Sequence, residues 1–187
     1  ALKHGNFKTA VLSDISAPML DIAMSRISDM HVSTTVQYQL IDIFKYNPGI
    51  GMKFDVIRCL GLLAHTGSLQ KLLEHLKSML SSDGKIILQS SIASHWGVRF
   101  ARFLTSKRYA QKYGYEINYY TIKEIEKYVQ LSGLEIKLFQ RYNFGWPFGD
   151  KISRLGNYWL EIFMQNLSSK YGSDAVYIIT HTSMSGE

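Results

Sequence analysis

The period of the apolar positions changes several times along the chain, and each change marks an element. Thr9 to Ile15 is β-branched and apolar, which predicts a strand. It runs into Ser16-Ala17-Pro18, where Ser16 suits a helix cap and Pro18 the first turn. Leu20, Ala23, Ile27 and Met30 then recur at helical spacing, and Val36 to Ile41 resumes an extended pattern that ends at Asp42. Asn47-Pro48-Gly49 marks a turn. Phe54 to Leu60 reads as a buried strand. Leu69, Leu72, Leu73, Leu76 and Leu80 form one stripe of a helix that Ser68 caps, and Ser81-Ser82-Asp83-Gly84 is expected to end that helix before a strand at Lys85 to Ser90. The order strand, helix, strand, strand, helix, strand, with continuous apolar strands, implies a mostly parallel sheet covered on both faces.

After Ser91 the texture changes. Trp96, Phe100, Phe103 and Leu104 make an apolar face interleaved with Arg99, Arg102, Lys107, Arg108 and Lys112, which reads as an inserted helix. Thr121 and Glu124 stand at capping-box spacing and open a helix carrying Ile122, Ile125, Tyr128, Val129 and Leu131, closed by Gly133. Leu134 to Tyr142 is again strand-like. Asn143 to Asp150 is a loop leading to a helix with Ile152, Leu155, Trp159, Phe163 and Leu167 on one side, and Ala175 to Thr182 is the last strand.

At 187 residues and 46% hydrophobic content the chain has material for one core, so the expectation is a single α/β domain over residues 1–187, with cap insertions at about 93–118 and 143–170. The longest apolar runs fall far short of a bilayer span, which excludes a membrane-spanning reading. The start lacks a continuous apolar leader, and the lone Cys59 has no partner for an internal disulfide; both point to a reducing, cytoplasmic setting. The net charge of +6 attracts anions, nucleic acid among them, and equally serves solubility.

In an open parallel sheet, ligands sit beyond the carboxyl ends of the strands. Asp14 closes the first strand, where a carboxylate accepts from two vicinal ribose hydroxyls, and Ile15 follows it to pack on a purine face. Asp42 ends the next strand, where it accepts from an exocyclic amino group, with the N–H of Ile43 beside it for a ring nitrogen. Cys59 and Leu60 end the third. Taken alone, Asp14 also fits a helix cap or the acidic strand end of a nicotinamide enzyme.

The run Val-Leu-Ser-Asp-Ile-Ser-Ala-Pro-Met-Leu-Asp-Ile-Ala at Val11 to Ala23 resembles the acidic strand end and following helix of class I S-adenosylmethionine-dependent methyltransferases. Asp42-Ile43 resembles that family's adenine-contact pair. Phe54 to His65 is similar to its fourth strand and the turn after it, and Leu76 to Leu88 to the helix-turn-strand that follows, with Gly84 as pivot. The likeness covers about half the chain strongly; from Ser91 onward only the topology fits. It implies a three-layer Rossmann-like sheet, mostly parallel with an antiparallel last strand, S-adenosylmethionine as cofactor, and Asp14, Ile15, Met19, Asp42, Ile43, Cys59 and Leu60 as the residues that hold it. The family opens with a strand and a glycine-rich loop. Here Ala1 to Gly5 matches the end of the helix after that loop, so the resemblance implies an upstream polypeptide segment that completes the sheet between the strands ending at Asp14 and Cys59.

Transfer of a methyl group from a sulfonium is an in-line displacement, in which the protein aligns the acceptor and removes a proton where needed. Arg58-Cys59-Leu60-Gly61 lacks the Asn/Asp-Pro-Pro-aromatic motif that such enzymes use on exocyclic amines of bases, and no carboxylate cluster offers a metal site. His65 is the candidate general base, because histidine changes protonation near neutral pH; the alternative is a histidine that orders the start of a helix. Trp96, Arg99, Tyr109, Tyr113, Trp146 and Phe148 are candidate cap residues over the acceptor, and Tyr119 and Tyr120 precede the capping box where substrate-facing aromatics are expected; core packing competes for each. Cys59 reads as a buried strand residue rather than a nucleophile. Three functions follow: methyl transfer to a small-molecule acceptor, methyl transfer to RNA, suggested by arginines interleaved with aromatics, and a non-catalytic partner with the same fold.

Overall fold

In the computed structural model, which describes residues 7–30, 32–100, 102–103, 111, 114, 117–143, 162 and 169–182, the chain forms two compact units, residues 1–50 and 51–187. The first is built from β1 (Thr9–Asp14), α1 (Ala17–Ser28) and β2 (Thr35–Leu40), with a short helical turn at Ile43–Lys45. β1 and β2 pair in parallel, Thr9 opposite Thr35 through Asp14 opposite Leu40, and α1 packs on both. Only Leu20 of the helix is buried, while Met19, Ile22 and Met24 are exposed. Pro18 sits in the first turn as expected, but the Ser16 hydroxyl caps nothing. The second helical position, Pro18, has no N–H to offer it, and the Met19 N–H goes to the Ser16 carbonyl at 3.1 Å, while Asp14 Oδ1 accepts from the N–H of Ser16 itself.

The second unit carries β3 (Phe54–Cys59), α2 (Leu69–Met79), β4 (Leu80–Ser91), α3 (Ile122–Leu131), β5 (Leu134–Tyr142) and β6 (Asp174–His181). Its sheet runs β3-β4-β6-β5. β3 and β4 are parallel, and the last strand is antiparallel to both neighbours, as the family resemblance implies. α2 buries Leu69, Leu72, Leu73, Leu76 and Met79, and the Ser68 hydroxyl accepts from the Lys71 N–H at 3.3 Å to satisfy its first turn. α3 opens on a complete capping box: Thr121 Oγ1 accepts from Glu124 N at 3.2 Å, and Glu124 Oε2 accepts from Thr121 N at 2.7 Å. Those bonds hold the Glu124 carboxyl below its usual range. The helix stops at Gly133, which adopts φ +64°. No helix among the described residues is long and apolar enough to cross a membrane.

One expected boundary moves. Leu80 does not extend the α2 stripe, and residues 81–84 do not form a turn: the chain becomes extended at Leu80 and stays so to Ser91. Leu80 pairs with Phe54 and Lys85 with Val56, so the extra residues are absorbed as a bulge in β4. Gly84 makes this possible. A Cβ there would stand 2.8 Å from Leu80 Cγ and 2.9 Å from the Phe54 carbonyl oxygen, so only glycine lets the two strands close.

Candidate functional site

The candidate residues fall into two groups, one in each unit. In the first, the parallel ladder sets both acids at its carboxyl end. Asp14 is the last residue of β1 and its carbonyl accepts from Ile41 N at 3.0 Å, which fixes the chain leading to Asp42. Each carboxylate is held by a backbone N–H two residues on: Asp14 Oδ1 accepts from Ser16 N at 2.8 Å, and Asp42 Oδ1 from Phe44 N at 3.0 Å. One oxygen of each acid is thus fixed in place. Among the described residues neither acid is paired with a cation, and both are half-buried. Strands of one ladder lie about 4.8 Å apart, so two acceptors share this edge. Ile15 and Met19 stand exposed beside them, at 74% and 55%. Ile43 opens a helical turn, a position whose N–H has no partner within the turn.

In the second unit β3 ends at Cys59, which is 4% exposed and whose thiol is pushed up to about 12 by burial. It is a packing residue with an inert sulfur, and its main chain is what it offers at the strand end. Leu60 is exposed, Gly61 turns the chain with φ +72°, and a helical turn at Leu63–His65 follows. His65 is exposed there. Asn118 clamps this turn from both sides of His65, its N–H donating to Ala64 O at 2.9 Å and its Nδ2 to Thr66 O at 2.8 Å. The next residues are Tyr119 and Tyr120. Tyr120 bridges to Ile92 beyond β4, and its carbonyl accepts from Ala93 N at 3.0 Å; burial raises its phenol above the usual range. His65, Tyr119 and Tyr120 are therefore brought to one place.

Residues 96–100 and 102–103 are helical. The cap of this helix is a histidine side chain: His95 Nδ1 accepts from Gly97 N at 3.1 Å. Burial, helped by the Arg141 cation, lowers the affinity of His95 for a proton and so keeps that acceptor available. Trp96 stacks obliquely on His95 with ring centres 5.8 Å apart and is itself exposed, as is Arg99. Trp146, with Tyr109, Tyr113 and Phe148, lies outside the described residues.

Two features escaped sequence reasoning. Asn118 is one; a polar residue in an otherwise aromatic run just before a capping box was its only signal. The other is Asp174, which opens β6 and ties three strand ends together. Ser91 Oγ donates to its Oδ1 at 2.6 Å and Asn143 Nδ2 to its Oδ2 at 2.8 Å, while the Ser173 carbonyl accepts from Ile92 N at 2.7 Å. This anchors Ile92 and through it Tyr120. A cleft of about 560 Å³ opens at the far end of the unit, where α2 and α3 finish. Two lysines lining it are occupied with the carbonyls exposed there: Lys53 Nζ donates to Ser78 O and Lys77 Nζ to Ser132 O. Among the described residues no cluster of His, Cys, Asp and Glu is arranged to hold a metal ion.

Comparison with known proteins bears on the family and the fold. Residues 2–138 match the family described as "Methyltransferase domain". Over 57 residues, 30% of this chain, the sequence is 39% identical to a tRNA U34 carboxymethyltransferase of Campylobacter lari, of which that stretch is 19%. The structure is similar to magnesium protoporphyrin IX methyltransferase from Synechocystis, solved with bound SAH (TM-score 0.58, 15% identity, 92% of this chain and 63% of that one). It is also similar to an S-adenosylmethionine-dependent methyltransferase from Clostridium acetobutylicum (TM-score 0.57, 15% identity, 95% and 76%). A third likeness is to a Thermotoga maritima methyltransferase described as a possible histamine N-methyltransferase (TM-score 0.60, 13% identity, 92% and 72%). At these identities the structural likeness speaks for the fold, a mixed α/β Rossmann-like sheet. The chain spans less than two thirds of the length of the Campylobacter and Synechocystis relatives.

Proposed function

The chain belongs to the methyltransferase-domain family, and on that premise we propose that it acts in class I methyl transfer from S-adenosylmethionine. What supports this most is the pair of carboxylates at one end of neighbouring parallel strands, each with one oxygen fixed by a backbone N–H. The donor set fits an adenosyl group. Asp14 accepts from the ribose hydroxyls, Asp42 from the exocyclic amino group, and the Ile43 N–H meets a ring nitrogen, while the exposed Ile15 and Met19 give apolar surface to the purine. When bound, the cofactor supplies a methyl group made electrophilic by its sulfonium. In the second unit His65 takes a proton from the acceptor at a ring nitrogen, on a turn that Asn118 holds still.

Two acceptor classes suit this arrangement. A small molecule with an anionic group is the reading that the sequence favours, with Tyr119, Tyr120 and the cap residues around it. An RNA nucleotide would occupy the same place, and one observation favours it: Trp96 and Arg99, cap residues on that reading, face solvent beside further aromatics. The short likeness to a tRNA-modifying enzyme points the same way.

Titration calorimetry and thermal shift with S-adenosylhomocysteine on the full-length polypeptide test the reading. Binding is expected, and Asp14→Ala is expected to weaken it at least about tenfold, a cost of roughly 1.4 kcal/mol. An unchanged dissociation constant in that variant would place the ribose elsewhere, and the absence of heat and of any thermal shift would leave a non-catalytic partner.

A further inference from the structure

The helical residues 96–103 are turned the opposite way from a helix that serves a core. Gly97 is buried and Val98 half-buried, whereas Trp96, Phe100 and Phe103 are 55%, 44% and 82% exposed. Positions 96, 100 and 103 fall on one helix face, so the three rings form a ridge. Arg99 and Arg102, both exposed, lie along one flank of it. Uncovered aromatic surface grouped in this way marks an interaction site. The arginine flank leads inward: the Arg102 guanidinium lies over the Tyr119 ring, 5.6 Å from its centre, and Tyr119 adjoins Asn118, the clamp of the His65 turn.

We propose that this ridge is a stacking platform for single-stranded RNA. The rings take base faces and Arg99 and Arg102 take phosphates, so that a strand laid along the ridge delivers its next nucleotide toward Tyr119 and the His65 turn. The proposal rests on the RNA form of the acceptor reading above. A single strand presents flat π faces and anions in alternation, which neighbouring aromatic and arginine side chains meet without regard to sequence. Duplex RNA hides its base faces and does not fit. A lipid surface wants a broad apolar arc with cations on the opposite face, whereas here the cations share the exposed face with only three rings. The net charge of +6 acts in the same direction.

The test is fluorescence anisotropy of a labelled single-stranded RNA of about 12 nucleotides with the full-length protein, at salt between about 50 and 200 mM. Binding is expected to weaken with salt and to exceed binding of the same sequence as a duplex. The double variant Trp96→Ala/Phe103→Ala is expected to bind at least about tenfold more weakly with the salt slope retained. Arg99→Gln and Arg102→Gln are expected to flatten that slope by about 0.7 for each phosphate that is no longer neutralised. Binding of S-adenosylhomocysteine, which rests on Asp14 and Asp42 in the reading above, is expected to persist in all of these. Equal RNA affinity of the aromatic variant and wild type overturns the proposal, and so does cosedimentation with phosphatidylserine vesicles without RNA binding. If S-adenosylhomocysteine binds and RNA does not, the platform alone falls; if neither binds, the methyltransferase reading falls with it.

Discussion

In residues 51–187 the leucines of α2, the alternate residues Ile86 and Leu88 of β4, and Ala175, Tyr177 and Ile179 of β6 are sealed from solvent, whereas in residues 1–50 the one buried apolar side chain among those described is Leu20. The same contrast runs through the polar groups. In the second unit they are used to fasten elements, as in the Asp174 knot and the Thr121–Glu124 box. In the first, Asp14 and Asp42 fasten only their own turns and keep an oxygen each for something else. The second unit commits its apolar residues to a core; the first leaves Ile15, Met19 and Leu40 exposed, and on the proposed reading Ile15 and Met19 face the cofactor. A region of this kind opens locally at low cost and gains its order from what it binds.

The sharpest way to break this contrast is to truncate one apolar side chain in each unit's helix. Leu76→Ala, at a fully buried position of α2, is expected to cost about 2–5 kcal/mol in urea unfolding. Ile22→Ala, on the exposed side of α1, is expected to change stability by less than about 0.5 kcal/mol. Similar costs for the two would mean that the first unit has a core of its own. A smaller effect sharpens the polar side of the comparison. The Glu124 carboxyl is held below its ordinary 4.5 first by the Thr121 backbone N–H and then by the Thr121 hydroxyl. Its stabilisation is therefore complete above that value and is lost as the pH falls through the lower, folded value. Thr121→Ala should cost about 1 kcal/mol near neutral pH and flatten the acid limb of the stability curve. Because the group is well exposed, solvent screening keeps the pH-dependent part small. An acid limb identical to wild type would show that the Thr121 hydroxyl contributes nothing through charge.

Most of the elements are legible in the sequence because the signals that specify them are local. Period-2 and period-3.6 patterns mark the strands and α2, and Thr121, Glu124 and Gly133 mark both ends of α3. The start of β4 is not legible. Leu80 fits a helical stripe as well as a strand, and the reason it is extended, a glycine pressed against the Phe54 carbonyl, lies across the sheet. Ser16 fails as a cap for a local reason: Pro18 has no N–H for its hydroxyl, and the Met19 N–H goes to the Ser16 carbonyl. At the site, the acids at the ends of β1 and β2 are readable because a parallel ladder brings its carboxyl ends together. Asn118 and Asp174 are not, since their partners lie 52 and 83 residues away in the chain. Nor does composition reveal that the aromatic residues 96, 100 and 103 face outward; a stripe at that spacing is what a core helix also shows.

Central to the proposed function is Asp42 accepting from the amino group of an adenine whose ribose is held by Asp14. The most direct measurement is calorimetric titration of S-adenosylhomocysteine and of S-inosylhomocysteine, in which a carbonyl replaces that amino group, into wild-type protein and Asp42→Ala. Wild type should prefer the adenosyl compound by at least about tenfold, and the preference should narrow in the variant, where only the Ile43 N–H still tells the two bases apart. A preference undiminished by loss of Asp42, or none in wild type, would contradict the assignment.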